Sequence, residues 1–402
     1  MDASPFLDLP GAVDGARLGA VDAGVPAHYG NPILEQRRLQ AGDAIVDLSN
    51  RSVLSIAGAD RLSWLNSMSS QLVSSLAPGQ SSETLLLDPN GHIEHAVHLI
   101  DDGETLWLIV ERGDADATLE FLQKMRFMLR VEPLDRTPEF AVIGAFAGRV
   151  APERSEDAYR DRKHAPESAG LDTAAPASLP TRPADAHPIW RDPWPQVVSG
   201  GHQYATGEHP GTDYTWTETI VPRAELTALA EQAASVDLSV AGALAAEALR
   251  IAAWRPRFAT EVDDRTIPHE LDWLRTAVHL NKGCYRGQET VAKVHNLGHP
   301  PRRLVMLHLD GSDAALPAAG SEVAIDKAGE RVVIGRVTSS ALHYDLGPIA
   351  LAVVKRSTDP AAILHVDADG TDVAAAQQII VPPEAGAEAN VPRIPRLGAV
   401  SR

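Results

Sequence analysis

The chain has a single cysteine, Cys284, among 402 residues. No disulfide can form within one copy. A disulfide-stapled scaffold and an all-cysteine metal or iron–sulfur site are both excluded for a single chain. No run approaches 18 consecutive apolar residues, so no transmembrane helix is expected. Basic residues are scarce: 36 Lys and Arg stand against 54 Asp and Glu, for a net charge of −18. Phosphate backbones reward the opposite balance, which argues against a dedicated nucleic-acid binder. The first 30 residues carry Asp2, Asp8, Asp14 and Asp22, and their first basic residue is Arg17. They lack the apolar stretch of a secretory signal and the Arg-rich bias of a transit peptide. There is no Gly-x-x-x-x-Gly-Lys-Ser/Thr loop for nucleotide phosphates and no Gly-x-Ser-x-Gly elbow. These absences leave a cytoplasmic protein that is no standard hydrolase.

What is present suits a folded chain of two or three domains, since 44% of the residues are apolar. Residues 1–27, rich in Gly, Ala and Asp, read as a loose arm. Short strands are expected at Ile45–Leu48, Val53–Ile56, Thr84–Leu87, Ile93–Ile100, Leu106–Val110 and Phe140–Phe146. Leu62, Leu65 and Leu72, with Trp64 and Met68 alongside, predict a helix after Asp60, and Leu119, Leu122 and Met125 predict one over 117–130. Asp88-Pro89-Asn90-Gly91 reads as a turn that needs a positive φ. Residues 151–187 mix Ala, Pro and charge, too few apolar groups to offset their ordering entropy, and read as a flexible insertion. Residues 224–254 are Ala- and Leu-rich and read as helical. Beyond His299-Pro300-Pro301, regularly spaced β-like runs suggest a small barrel or sandwich. The segment 382–402 reads as a flexible tail.

Chemistry concentrates in Asn281-Lys282-Gly283-Cys284-Tyr285-Arg286-Gly287-Gln288-Glu289-Thr290. Glycines flank the only thiol, and Gln288–Lys293 reads as the start of a helix. A thiol before a helix N-terminus, with Lys282 and Arg286 nearby, has two reasons to favour the reactive thiolate. The alternative is a buried, inert cysteine. Lys282, Arg286, Lys293, Arg302 and Arg303, preceded by Arg250, Arg255 and Arg257, form a basic cluster in an acidic chain. It suits an anionic ligand or, equally, ion pairs with Glu261, Asp263 and Asp264. His92, His95 and His98 could not converge on a metal from one strand, because His95 points opposite to the other two.

Lys282-Gly283-Cys284-Tyr285-x-Gly287-Gln288-Glu289 resembles the signature of the YgfZ-type tetrahydrofolate-binding proteins, relatives of the glycine-cleavage T-protein (aminomethyltransferase). Asp47-Leu48-Ser49, Gly58-Ala59-Asp60, Asp88-Pro89-Asn90-Gly91, Tyr214-Thr215, Glu218-x-Ile220-Val221-Pro222 and Leu249-Arg250-Ile251 resemble further landmarks of this superfamily in the same order. The resemblance implies an α+β fold of three domains around a central folate cleft, with a small C-terminal β-barrel. Residues 28–135 plus 240–298 would form one discontinuous domain, 136–239 the second and 300–381 the barrel. It implies tetrahydrofolate as cofactor, iron–sulfur client enzymes or assembly proteins as partners, and a role in assembling or repairing iron–sulfur clusters. Cys284 would be the essential motif thiol. Glu218 and Arg250, with Lys282, Tyr285, Arg286 and Gln288 of the motif, would bind the cofactor, and no metal site is implied.

Two departures bear on the chemistry. Aminomethyltransferases carry an aspartate pair on the strand after the turn, and the matching positions are His95 and Ala96. Neither supplies that carboxylate, which speaks against glycine-cleavage transfer. The helix reads Arg250-Ile251-Ala252-Ala253, where the family usually has a glutamate at the third place. The alternatives are a folate-dependent aminomethyltransferase and a folate-independent thiol enzyme using Cys284 as nucleophile, with His279 and His295 the nearest bases in sequence.

Overall fold

The computed structural model describes residues 3–18, 21–147, 187–235, 237–311 and 315–389. The fold is α+β: among the described residues, two five-stranded sheets, a two-stranded ribbon of Val13–Asp14 with Pro26–His28, and a closed C-terminal barrel. Most of the insertion expected at 151–187, and residues 390–402 of the expected tail, lie outside the described residues. No helix among the described residues is long and apolar enough to cross a membrane.

The first sheet runs in the order Ser81–Leu87, Ile93–Asp101, Thr105–Val110, Ser52–Ala57, Glu132–Asp135, all antiparallel. Its strands are apolar on both sides because both faces are covered. Leu54, Val97, Leu99 and Leu108 pack under helices Arg61–Met68 and Ala115–Lys124, through Trp64, Leu65 and Leu122. The alternate residues Val53, Leu85, Ala96, Ile100 and Ile109 enter a core shared with the second sheet. Both helices are shorter than the sequence suggests. The second one ends at Lys124, and the chain then turns through Phe127 at φ +45°.

The second sheet runs Ile189–Arg191, Trp216–Pro222, Phe140–Phe146, Ile45–Asp47, Val240–Ala241, with only the last pair parallel. Ile45–Asp47 therefore pairs with strands from residues 140–241, although it directly precedes a strand of the first sheet. The helical reading of 224–254 resolves into two helices, Glu225–Ala234 and Ala243–Ala252, separated by Val240–Ala241.

Residues 3–18 and 21–27 correct the expectation of a loose arm. Phe6 is fully buried with Ile45, Ile143, Val221 and Leu229 on the outer face of the second sheet. Ser4 donates to the buried Asp47 carboxylate at 2.5 Å. Composition misled here because one buried aromatic and one paired carboxylate fix a segment that is otherwise polar. The tail expectation is corrected likewise over 382–389. Ala385 is buried, and Glu388 N donates to His295 O at 2.9 Å, binding the chain to the end of helix Gln288–Leu297.

The barrel closes in the order Arg302–Leu309, Gly347–Lys355, Glu330–His343, Glu322–Lys327, Leu364–Ala368, Thr371–Ile379. Alternating Val305, Leu307, Val323, Val337, Val366, Val373 and Ala375 fill its interior. The sequence reading missed Glu322–Lys327 and Thr371–Ile379. The exposed positions of Glu322–Lys327 are charged, and Thr371–Ile379 sets exposed Ala374 and Ala376 beside buried Val373 and Ala375, so neither shows a clear apolar–polar period of two.

Candidate functional site: an ion-paired cavity and a separate cysteine loop

A cavity opens between the two sheets, with about 500 Å³ of empty space counting its mouth. Strand alternation places Trp216 and Glu218 from the second sheet, and Ala96 and His98 from the first, on its walls. Glu218 is almost fully buried. Its Oε1 accepts from Arg51 Nη1 and from Trp216 Nε1 at 3.1 Å, and its Oε2 lies 2.9 Å from His98 Nδ1. Burial pushes this carboxyl up, but Arg51 and His98 outweigh it and hold it well below the usual carboxylate range.

The basic cluster is largely committed inside the protein. Arg250 donates to Glu247 at 2.7 Å and Glu261 at 3.0 Å. Arg255 donates to Asp192 at 2.9 Å and Glu83 at 2.6 Å. Arg257 spans Asp22 and Glu111, each at 2.8 Å. Arg302 joins Asp263 and Glu270. Of the two readings the sequence left open, ion pairing describes these side chains. Burial, opposed by Arg255 and reinforced by Glu83, raises the Asp192 carboxyl above its ordinary value. Arg51 Nε, Arg255 Nη1 and Glu83 Oε1 are buried without partners, so the network retains polar capacity.

The cysteine loop lies apart from these walls. Cys284 is exposed, which excludes the buried, inert alternative. Its thiol makes no hydrogen bond among the described residues, to His279, His295 or any other group. Helix Gln288–Leu297 begins as expected, behind Gly287 at φ +82°. A Cβ on Gly287 would meet Asp88 O at 2.6 Å, and one on Gly91 would meet Thr290 Cβ at 2.8 Å. The Asp88–Gly91 turn and the cysteine loop thus approach closely enough to demand both glycines.

The cationic neighbours do not face the thiol. Lys282 Nζ donates to the carbonyls of Asn66, Ser69 and Gln71 at 2.8, 2.6 and 2.7 Å, using all three of its hydrogens. Burial lowers its ammonium to about 8. Arg286 pairs with Glu94 at 2.5 Å and lies over Phe121. Tyr285 is buried and, with Lys282, Gln288 and His295, lines a second cavity beside the loop. The six cofactor-binding positions expected from sequence therefore divide. Glu218 and Arg250 border the first cavity, Lys282, Tyr285 and Gln288 border the second, and Arg286 borders neither.

Lys282→Met should lower stability by about 2–4 kcal/mol, because three carbonyls lose a charged donor. Hydrogen exchange should quicken around 66–71 while ligand binding by the folded fraction stays unchanged. Lost binding at unchanged stability would instead make Lys282 a ligand contact.

The three histidines diverge. His92 pairs with Asp88 at 3.0 Å, His95 with Asp114 at 2.8 Å, and His98 enters the cavity. Sequence reasoning did not find Arg51, His98, Trp190, Asp192 or Glu83 as parts of one site. The two-residue period gave a usable signal for His98, since it shares a face with Ala96. The others depend on sheet pairing that no local pattern shows.

No family model matches the chain. It is 27% identical to an aminomethyltransferase of Symbiobacterium thermophilum over 339 residues, 82% of this chain and 83% of that protein. It is 25% identical to an aminomethyltransferase of Xanthomonas campestris pv. campestris over 304 residues, 73% and 76% of the two chains. The crystal structure of the glycine cleavage system aminomethyltransferase T from Bartonella henselae superposes with a TM-score of 0.67. The superposition covers 95% of this chain and 98% of that one, at 18% identity. The chain has the aminomethyltransferase fold. Within that fold the neighbouring positions His95 and Ala96 differ in direction. His95 turns away from the cavity toward Asp114 and Thr118, whereas Ala96 lines it. The strand thus offers the cavity a methyl group at Ala96.

Proposed function

We propose that the chain binds tetrahydrofolate in the cavity bordered by Glu218, and serves with Cys284 in assembling or repairing iron–sulfur clusters of client enzymes. The observation that carries this reading is the pairing of Ala96 on the cavity wall with an exposed Cys284 in a complete motif. The aminomethyltransferase fold and the unpartnered polar atoms of Arg51, Glu83 and Arg255 support a polar heterocyclic ligand. Tetrahydrofolate supplies nitrogens that carry one-carbon groups. The protein's part is to orient the pterin between Glu218 and the aromatic wall and to keep bulk water out. A single thiol cannot hold a cluster alone, so further ligands would come from a client, a second copy or a small thiol. The second reading, an aminomethyltransferase, is favoured by the activity for which the sequence relatives are named.

Calorimetry with tetrahydrofolate should show saturable binding. Aminomethyl transfer should run about 10²–10⁴-fold below that of an enzyme with the aspartate, the usual worth of general acid–base help. In cells lacking this chain, Cys284→Ser should fail to restore an iron–sulfur client enzyme, although the purified variant melts like the wild type. Full turnover in the transfer assay would favour the second reading, and full client activity with the serine would remove Cys284 from the first.

A further inference from the structure

His98 is held in one orientation from two sides. Nδ1 lies 2.9 Å from Glu218 Oε2. The ring stacks on Trp190 with 3.6 Å between centroids and 1° between planes. Trp190 is fully buried and donates Nε1–H to Ser82 O at 2.7 Å, so the platform is itself fixed. Glu218 is served by Arg51 and the Trp216 N–H and is ionised. An ionised carboxylate only accepts, so Nδ1 carries the hydrogen. In the neutral imidazole Nε2 is then a bare lone pair. Nε2 has no hydrogen-bond partner among the described residues, and the side chain keeps 20% exposure on a cavity wall.

We propose that His98 Nε2 is the acceptor for a ring N–H of a reduced pterin, which makes His98 the residue that distinguishes reduced from oxidised folates; this rests on the folate reading above. Glu218 is poorly placed to act alone, because its two oxygens already hold three donors out of about four lone-pair positions. A tetrahydropterin presents N–H groups on its reduced ring. The fully oxidised ring presents nitrogen lone pairs at the same places, and a lone pair facing Nε2 leaves both groups unsatisfied. Sites built to receive a hydrogen bond reject the analogue that lacks it.

The charged groups around His98 are Glu218, Asp192 and, opposite it on the neighbouring strand, Glu83, with Arg51 and Arg255 holding these carboxylates. Glu111, Arg250 and Arg257 complete the charged wall. From the other neighbouring strand the residue opposite is Ile109, which does not titrate.

The test is calorimetry of wild type, His98→Gln and His98→Leu with tetrahydrofolate and with folic acid at pH 8. The wild type should prefer tetrahydrofolate by about tenfold or more. His98→Gln keeps an acceptor, so its preference should persist. His98→Leu should lose the preference. Melting curves confirm that each variant is folded. Unchanged preference in His98→Leu overturns the role while the folate reading stands. Failure of the wild type to bind either ligand overturns both.

Discussion

Arg255→Met should lower stability by about 3–5 kcal/mol, the usual consequence of stripping one partner from a buried ion pair. Arg255 is the shared cation of Glu83 and Asp192, at 2.6 and 2.9 Å, and lies near the faces of Trp190, Trp194 and Trp273. Methionine keeps much of the packing volume, so the loss reports charge and not a cavity. Two carboxylates would remain in a dry site with no counter-ion. Adding Glu83→Gln and Asp192→Asn to the same chain should recover most of the loss, because neutral amides need no cation. Chemical denaturation of the single and triple variants tests this. A single variant within 1 kcal/mol of wild type, or a triple no more stable than the single, would show that the pairs contribute little.

The second large effect is a pH dependence carried by Asp272. This side chain is fully buried at φ +55°, with Oδ1 accepting from Tyr204 N at 2.6 Å and Oδ2 unpartnered. Burial raises its carboxyl to about 7, against an ordinary value of 3.8, although backbone N–H groups and Arg275 pull the other way. The folded state therefore holds a proton that the unfolded state releases between about pH 4 and 7. Stability is fully retained below the lower value and falls as pH rises through that window, by about 4 kcal/mol for a shift near three units. Asp272→Asn accepts the same left-handed backbone and the Tyr204 hydrogen bond but does not titrate. Its stability relative to wild type should rise by that amount from pH 4 to pH 8. An unchanged difference between the two variants across this range would show that Asp272 is ionised in the folded state throughout.

Much of the fold could be read from local pattern. Phe140–Phe146 is a strand where the apolar run places it, and the barrel runs read at 304–309 and 349–354 fall inside the observed strands Arg302–Leu309 and Gly347–Lys355. Charged strands such as Glu322–Lys327 did not, since their solvent face interrupts the apolar alternation. The N-terminal segment escaped because one buried phenylalanine outweighs a polar composition. For the site, the cysteine motif was visible as a contiguous string, and the structure exposes its thiol. The partners of its basic residues were not visible. Lys282 finds its acceptors more than 200 residues earlier in the chain, at Asn66, Ser69 and Gln71. Arg255 finds Glu83 in the same way. Ion pairs between distant segments are set by sheet pairing, and single-sequence spacing holds no record of them.

The parallel pairing of Val240–Ala241 with Ile45–Asp47 has a consequence for how the protein is made. The second sheet has a finished edge only after nearly two hundred further residues have left the ribosome. At roughly 5–20 residues per second that is a delay of about 10–40 s. Arg51, His98, Asp192, Glu218 and Arg255 emerge in that order, so a nascent chain carries Glu83, Asp192 and Glu218 before Arg255 arrives to neutralise two of them. The barrel strands of 302–379, by contrast, pair among themselves and close as a unit once the last of them is synthesised. Translation thus leaves the cavity half-built and open for most of synthesis, and a pause or cleavage before residue 255 releases a fragment that keeps its acidic walls and lacks the cation between them.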